Sequence, residues 1–253
     1  TQADSMFQGC SSLEVFRPNP ELIPSAIDML SLFQSCQKLK TLGPLNTSAN
    51  QRATTMFRFC HSLKTIESMS FASITSNNAD LILDDAFALV NTPVFNFDTA
   101  TNLSDTFEQS QMLNNVGAPL SMSMYNNTNC DDLFKNSTYI QHIYITGSNN
   151  VTNWNEAFRG CINLVKLEAD MSYTGASFTD TFVRADSLSV VDIPGISNNV
   201  DFSDCHGMTK EVLDGLFESL ATVGGAGSGT KTINVSGTVG ASTCDTTIAT
   251  GKG

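Results

Sequence analysis

The sequence of 253 residues predicts an α/β solenoid, in which about eight short units stack around one continuous core. The first observation is a recurring motif, with a Phe, a Cys three positions later, a Leu six later and an apolar residue nine later. The second is its average spacing of about 25 residues, which is typical of solenoid repeats. A unit this short cannot bury its own apolar face, so neighbouring units must stack.

The motif is strong in four segments and weaker in four others. The strong copies are residues 5–16, 31–42, 55–66 and 156–167, and the weaker copies are 85–95, 105–116, 132–143 and 180–191. Their anchor phenylalanines are Phe7, Phe33, Phe57, Phe87, Phe107, Phe134, Phe158 and Phe182. These equivalent positions predict a ladder of aromatic side chains inside the stack.

Each unit is predicted to contain one short helix and one short strand. Ser, Thr, Asp and Asn precede the anchor, as in residues 151–158, and these residues can cap a helix from which the Phe points inward. After the Cys position, apolar residues return as they do at Ile140, Ile143 and Ile145, which indicates a strand. Aligned strands of successive units then form a parallel sheet.

The fourth unit departs most from the pattern. Pro93 occupies the position where Leu is expected. We expect Val94 and Phe97 to take over the inward positions after an insertion of one residue.

The seven cysteines are predicted to be mainly buried packing residues. An odd number excludes a complete disulfide framework, and no C-x-x-C pair suggests a zinc or redox site. Several of them lie three residues after a Phe, which fits small apolar residues at equivalent positions of the repeat. A disulfide between neighbouring units remains the alternative, because stacked strands bring such positions within bonding range.

The pattern changes after Cys205, so we expect a solenoid over residues 1–205 and a capping unit over 206–253. Residues 209–223 predict an amphipathic helix with Thr209 as N-cap, followed by a glycine-rich loop at 224–229 and a short strand at 232–236. The first anchor lies only six residues after Thr1. Since solenoids need caps, we expect further sequence or another domain or chain before residue 1.

The unit MF-x-x-C-x-x-L at residues 6–13, 32–39 and 56–63 resembles the BspA-like leucine-rich repeats of bacterial, mycoplasmal and protist surface proteins. Such repeats also occur in phage tail and fibre proteins, and the helix, strand and tail after Cys205 resemble their terminal unit. The resemblance implies a leucine-rich-repeat-like array and a non-enzymatic virion surface protein, such as a tail fibre or receptor-binding appendage. The alternative that it implies is a bacterial or protist cell-surface adhesin, and a carbohydrate-binding accessory domain of an enzyme also stays open.

Charge and motif content argue against several other classes of function. The chain has 13 basic and 25 acidic residues, a net charge of −12 that repels nucleic acid. The segment 224–232 is similar to the sequence pattern of a phosphate-binding loop, but Thr230 interrupts the pattern. The segment also leads into a predicted strand, whereas a phosphate-binding loop leads into a helix. The three histidines lack metal-ligand spacing, and no apolar run is long enough to span a membrane. We therefore expect no enzyme activity, cofactor, metal, nucleic-acid partner or membrane insertion.

A partner is expected to bind the outward face of the sheet. The residue after each inward position nine residues beyond the anchor should point outward, and a second outward column should lie two residues earlier. The first column contains Arg17, Gly43, Glu67, Asp98, Gly117, Tyr144, Glu168 and Asp192, and the second contains Thr41, Thr65, His142 and Lys166. The candidate binding residues are Arg17, Glu67, Asp98, His142, Tyr144, Lys166, Glu168 and Asp192.

Within these columns, Tyr144 beside His142 is the best candidate for a small binding hot spot, because exposed aromatic residues often anchor recognition. The alternative is that these residues form an ordinary solvated face. The expected partners are a host surface protein or glycan and other virion subunits, and a fibre would be a symmetric homo-oligomer.

Overall fold

The computed structural model describes residues 2–18, 28–75, 79–90, 94–111, 119–222 and 230–252. Within these ranges the chain forms short strands and two helices. The strands are β1 (Val15–Phe16), β2 (Thr41–Leu42), β3 (Thr65–Ile66), β4 (Phe95–Asn96), β5 (Leu120–Ser123), β6 (His142–Thr146), β7 (Lys166–Glu168), β8 (Val190–Asp192), β9 (Val200–Asp201) and β10 (Ile233–Asn234). The helices are α1 (Lys210–Ser219) and α2 (Thr246–Thr250).

The strands stack in chain order as a parallel-strand β-solenoid. The first sheet contains β1, β2 and β3, and the second contains β4 to β8. Within these two sheets, neighbouring strands pair in parallel, for example Thr41 with Thr65 and Leu167 with Val191. The predicted solenoid with a parallel sheet is therefore confirmed.

The short helix predicted in each unit is wrong for the described coils. Thr55 and Phe59, which flank the anchor Phe57, have positive φ angles of 56° and 61°, and an α-helix cannot contain such residues. Along this segment, successive backbone N–H groups instead alternate between two kinds of hydrogen bond. The N–H of Phe57 donates to the carbonyl of Ile82 in the next coil at 2.8 Å, whereas that of Arg58 donates to Thr55 within its own turn at 3.2 Å. The segment is a run of tight turns that forms hydrogen bonds with the next coil, and we call its outer surface the turn face.

Pairs of positive φ angles mark the anchor of every described coil. The pairs are Ser5 and Gly9, Ser31 and Ser35, Thr55 and Phe59, Leu81 and Asp85, Asp105 and Gln109, Asp132 and Asn136, Glu156 and Gly160, and Asp180 and Arg184. Asp, Asn and Gly tolerate this conformation best, and they occupy many of these positions.

The prediction that Phe87 is the fourth anchor is wrong, because the fourth pair of positive φ angles flanks Leu83. Leu83 is fully buried, whereas Phe87 is half-buried and stacks on His61 with ring centroids 5.0 Å apart. Taking Leu83 as the anchor makes all intervals between anchors 24 to 27 residues. Phe97 is buried as expected, but Val94 is exposed, and Pro93 lies outside the described residues.

The other anchors form the predicted ladder. Phe7 stacks on Phe33 and Phe33 on Phe57, with ring centroids 5.3 and 5.6 Å apart. The stack resumes beyond Leu83, from Phe107 to Phe134 at 5.0 Å and onward to Phe202. This ladder runs along the solenoid axis and ties each coil to the next.

The cysteines are packing residues with one further role. All seven carry free thiols, and all except Cys10 and Cys244 are buried. Cys60 Sγ donates a hydrogen bond to the carbonyl of the anchor one coil earlier, Phe33, at 3.1 Å. In two of the weaker copies Ser occupies this position, and Ser110 Oγ and Ser137 Oγ make the equivalent bonds to the carbonyls of Leu83 and Phe107 at 3.0 and 2.6 Å.

The C-terminal unit closes the stack with a helix and an added strand. Helix α1 follows Thr209 as expected and buries Leu213, Leu216 and Phe217, but the Thr209 side chain makes no capping hydrogen bond to the helix backbone. Strand β10 pairs in parallel with β9. The predicted glycine-rich loop at 224–229 lies outside the described residues, and α2 was not foreseen.

Candidate recognition face

The outward side of the second sheet carries most of the candidate binding residues. Its register places Ser121, Tyr144, Glu168 and Asp192 opposite one another in successive strands. A second outward column contains His142, Lys166 and Val190. We call these seven side chains the second-sheet face.

Tyr144 is the exposed aromatic residue of this face. Its neighbours along β6, Ile143 and Ile145, are buried in the core, so strand alternation points Tyr144 outward. The side chain is 42% exposed and lies between Ser121 and Glu168 in register. The strand holds Tyr144 in place, and the ring remains available for contact.

Glu168 is held by two basic groups of the same face. His142 Nε2 lies 2.6 Å from Glu168 Oε2, and Lys166 Nζ lies 3.1 Å from the same oxygen. The hydrogen bond with His142 is the main reason that the pKa of Glu168 lies below its usual value, and Lys166 adds to the effect. His142, Lys166 and Glu168 thus form a fixed, largely charge-compensated cluster beside Tyr144.

Arg17 and Glu67 form a separate pair on the first sheet. Arg17 Nη1 lies 3.0 Å from Glu67 Oε2, and the second guanidinium nitrogen bonds the other carboxylate oxygen. The two residues lie two coils apart, with Gly43 between them. A Cβ on Gly43 would lie 2.9 Å from Arg17 Cγ, so the absence of a side chain lets Arg17 cross the middle coil. The sequence pattern gave no sign of this pairing.

Asp98 does not belong to the predicted column. Asn96 pairs with Ser123 and Phe95 with Met122, so Val94 is the residue next to Ser121. Asp98 follows β4 in a turn, where its N–H donates to Asn96 Oδ1 at 3.1 Å. The anchor error in the fourth unit caused this mistake. The position predicted for Gly117, which lies outside the described residues, is also wrong, because Ser121 is the residue that pairs with Tyr144.

Two exposed residues of this region were missed. Val190 continues the column of His142 and Lys166 and is 42% exposed. The Tyr125 ring covers Gly147, where a Cβ would lie 2.6 Å from the ring, and Tyr125 remains 55% exposed. Val190 could have been found from its position eight residues beyond its anchor, but the Tyr125 contact depends on a positive φ at Gly147.

The arrangement suits non-covalent binding. Burial raises the pKa of Cys36 to about 11 and that of Cys60 further, so these thiols are not activated nucleophiles. Nowhere in the described part of the chain does a group of three or more His, Cys, Asp or Glu side chains form a possible metal site. Among the described residues, no helix has the length and apolar character needed to cross a bilayer.

Comparison with protein-family models, curated proteins and solved structures finds no match. The resemblance to BspA-like repeats therefore depends on sequence patterns, namely the MF-x-x-C-x-x-L motif and the closing unit after Cys205.

Proposed function

We propose that this protein is a non-enzymatic recognition module on the surface of a virion, such as a tail fibre or receptor-binding appendage. In this proposal the second-sheet face contacts a host surface protein or glycan. The observation that supports it most is the exposed Tyr144 on a regular strand, next to the fixed His142, Lys166 and Glu168 cluster.

The second-sheet face has the properties that a binding surface needs. The parallel ladder holds its backbone, so binding requires little ordering, which is a main cost of association. An aromatic ring provides apolar contact area, and Ser121 and Glu168 provide hydrogen-bonding groups on either side of it. Such a combination serves both sugar rings and protein loops.

The proposal extends to assembly. A fibre built from this chain would be a symmetric homo-oligomer that joins other virion subunits. The net charge of −12 disfavours a nucleic-acid partner, because the protein field repels phosphate groups.

A bacterial or protist cell-surface adhesin is the second candidate function. The observation that favours it is the repeated MF-x-x-C-x-x-L unit, which resembles repeats of such surface proteins. The same face would then bind a matrix component or a glycan.

Immunogold electron microscopy of the source material, with antibodies against residues 1–253, tests the proposal. We expect label on virion tails or fibres. Label on cell envelopes would replace this proposal with the adhesin, and label confined to the cell interior would contradict both. Preimmune serum is the control.

A further inference from the structure

The C-terminal unit contains a cavity of about 470 Å³, and none of its described lining residues belongs to the second-sheet face. It lies among residues 196–198, the end of α1, strand β10 and helix α2. Its volume is within the range of about 300–1,000 Å³ that is usual for small-molecule sites.

The walls of this cavity are mainly apolar. Ile196, Phe217, Leu220 and Ile233 all line it. These side chains provide apolar contact area for a ligand.

The charge of the cavity is opposite to that of the whole protein. Lys231 and Lys252 line it, and none of its described lining residues is Asp or Glu. The chain as a whole has 25 acidic residues against 13 basic ones, so two lysines without an acidic neighbour in the lining stand out. Lys252 Nζ donates to the carbonyl of Glu218 at 3.1 Å, which holds one ammonium group at the end of α1.

We propose that this cavity binds a small amphiphilic carboxylate, with its apolar part against Phe217 and Ile233 and its carboxylate near Lys231 and Lys252. Burial of the apolar part of the ligand against these walls favours binding, and the lysines provide charge complementarity to its carboxylate. A neutral alcohol would lose the ionic contacts, and an amine would be repelled. The site is independent of the recognition function proposed above.

Isothermal titration calorimetry of the full chain with decanoate tests this site, with decanol and decylamine as comparison ligands. We expect one decanoate per chain and about 10-fold weaker binding of decanol, because decanol makes no charge-assisted bond. Decylamine should bind weakest. Equal affinities for the three ligands, or no decanoate binding, would overturn the proposal.

Variants locate the site. K231Q and the double variant K231Q/K252Q should each weaken decanoate binding, the double variant by about 10-fold or more. K38Q, which changes an exposed lysine of the second coil, should leave the affinity unchanged. The double variant also removes the hydrogen bond between Lys252 and Glu218. K231Q keeps that bond, so it still tests the site if the double variant destabilises the capping unit. Unchanged affinity in both variants, or an equal loss in K38Q, would contradict the assignment.

Discussion

Each anchor side chain is enclosed by the anchors of neighbouring coils, so single residues control the stability of the stack. Phe57 is fully buried and stacks on Phe33, and Leu83 takes the same position one coil later. Removing such a side chain leaves a cavity that the surrounding hydrogen-bonded coils cannot easily close. Removal of a half-exposed aromatic side chain outside the ladder should lower the stability much less, because less of its surface is buried.

Leu83 and Phe87 give a direct test of the anchor assignment. Leu83→Ala should lower the free energy of unfolding by about 2–5 kcal/mol, as expected for a fully buried leucine. Phe87→Ala should cost about 1 kcal/mol, because it loses only the stacking on His61 and partial burial. Urea denaturation measures both values. A larger loss for Phe87→Ala would show that Phe87 is the anchor after all.

At the scale of elements, the turn segments bring charged side chains together along the stack. The position after the anchor holds Arg58, Asp84, Glu108 and Lys135 in successive coils. Arg58 Nε bonds Asp84 at 2.8 Å, and burial with nearby carboxylates raises the pKa of Asp84 to about 6. The turn segments therefore contain carboxylates whose charge opposes folding near neutral pH.

Glu108 is a second carboxyl group of these turns with a strongly raised pKa. Burial is the main cause that raises its pKa to about 7, and the carboxylates of Asp84, Asp105 and Asp132 raise it further. Lys135 acts in the opposite direction. Because the folded pKa lies above the unfolded value of about 4.3, the folded state binds more protons between these values. The contribution of Glu108 to stability is therefore highest at low pH and is lost as pH rises through about 7.

Substitution of Glu108 should remove this pH dependence. Glu108→Gln is expected to raise the melting temperature at pH 8, where it eliminates a half-buried charge, and to raise it clearly less at pH 5. Thermal unfolding followed by circular dichroism measures both.

The matched control for this substitution is Glu14→Gln. The hydrogen bond with Lys40 is the main cause that lowers the pKa of Glu14, so its charge favours the folded state. This control should not raise the melting temperature at pH 8. Equal gains for Glu108→Gln at both pH values would contradict the explanation.

At the scale of the whole molecule, the sequence predicted the repeat, the parallel sheet and the closing helix. These features follow from the spacing of apolar residues, which burial enforces in any stacked array. It did not predict the turn segments, because the Ser, Asp and Asn residues that cap helices also adopt left-handed turns. Asp132 and Asn136 on either side of Phe134 illustrate this ambiguity.

The candidate site was predictable where strands are regular. Tyr144, Glu168 and Asp192 share a column as expected, because three successive coils have equal lengths between anchor and strand. Asp98 was misplaced because a buried leucine, Leu83, replaced the expected phenylalanine, which shifted the register of the fourth coil. The ion pair between Arg17 and Glu67 also escaped prediction, since it depends on the reach of Arg17 past Gly43.

Binding of Tyr144→Ala to intact cells tests most directly the central claim, that the second-sheet face is the recognition surface. The cells are those to which the immunogold-labelled structures attach, and fluorescently labelled wild-type protein should bind them saturably. Tyr144→Ala should weaken this binding by about 10-fold or more, as for an interface hot spot. Tyr173→Ala, which removes a tyrosine of nearly equal exposure outside the sheet, should bind like the wild type. Wild-type affinity in Tyr144→Ala, or an equal loss in Tyr173→Ala, would contradict the account.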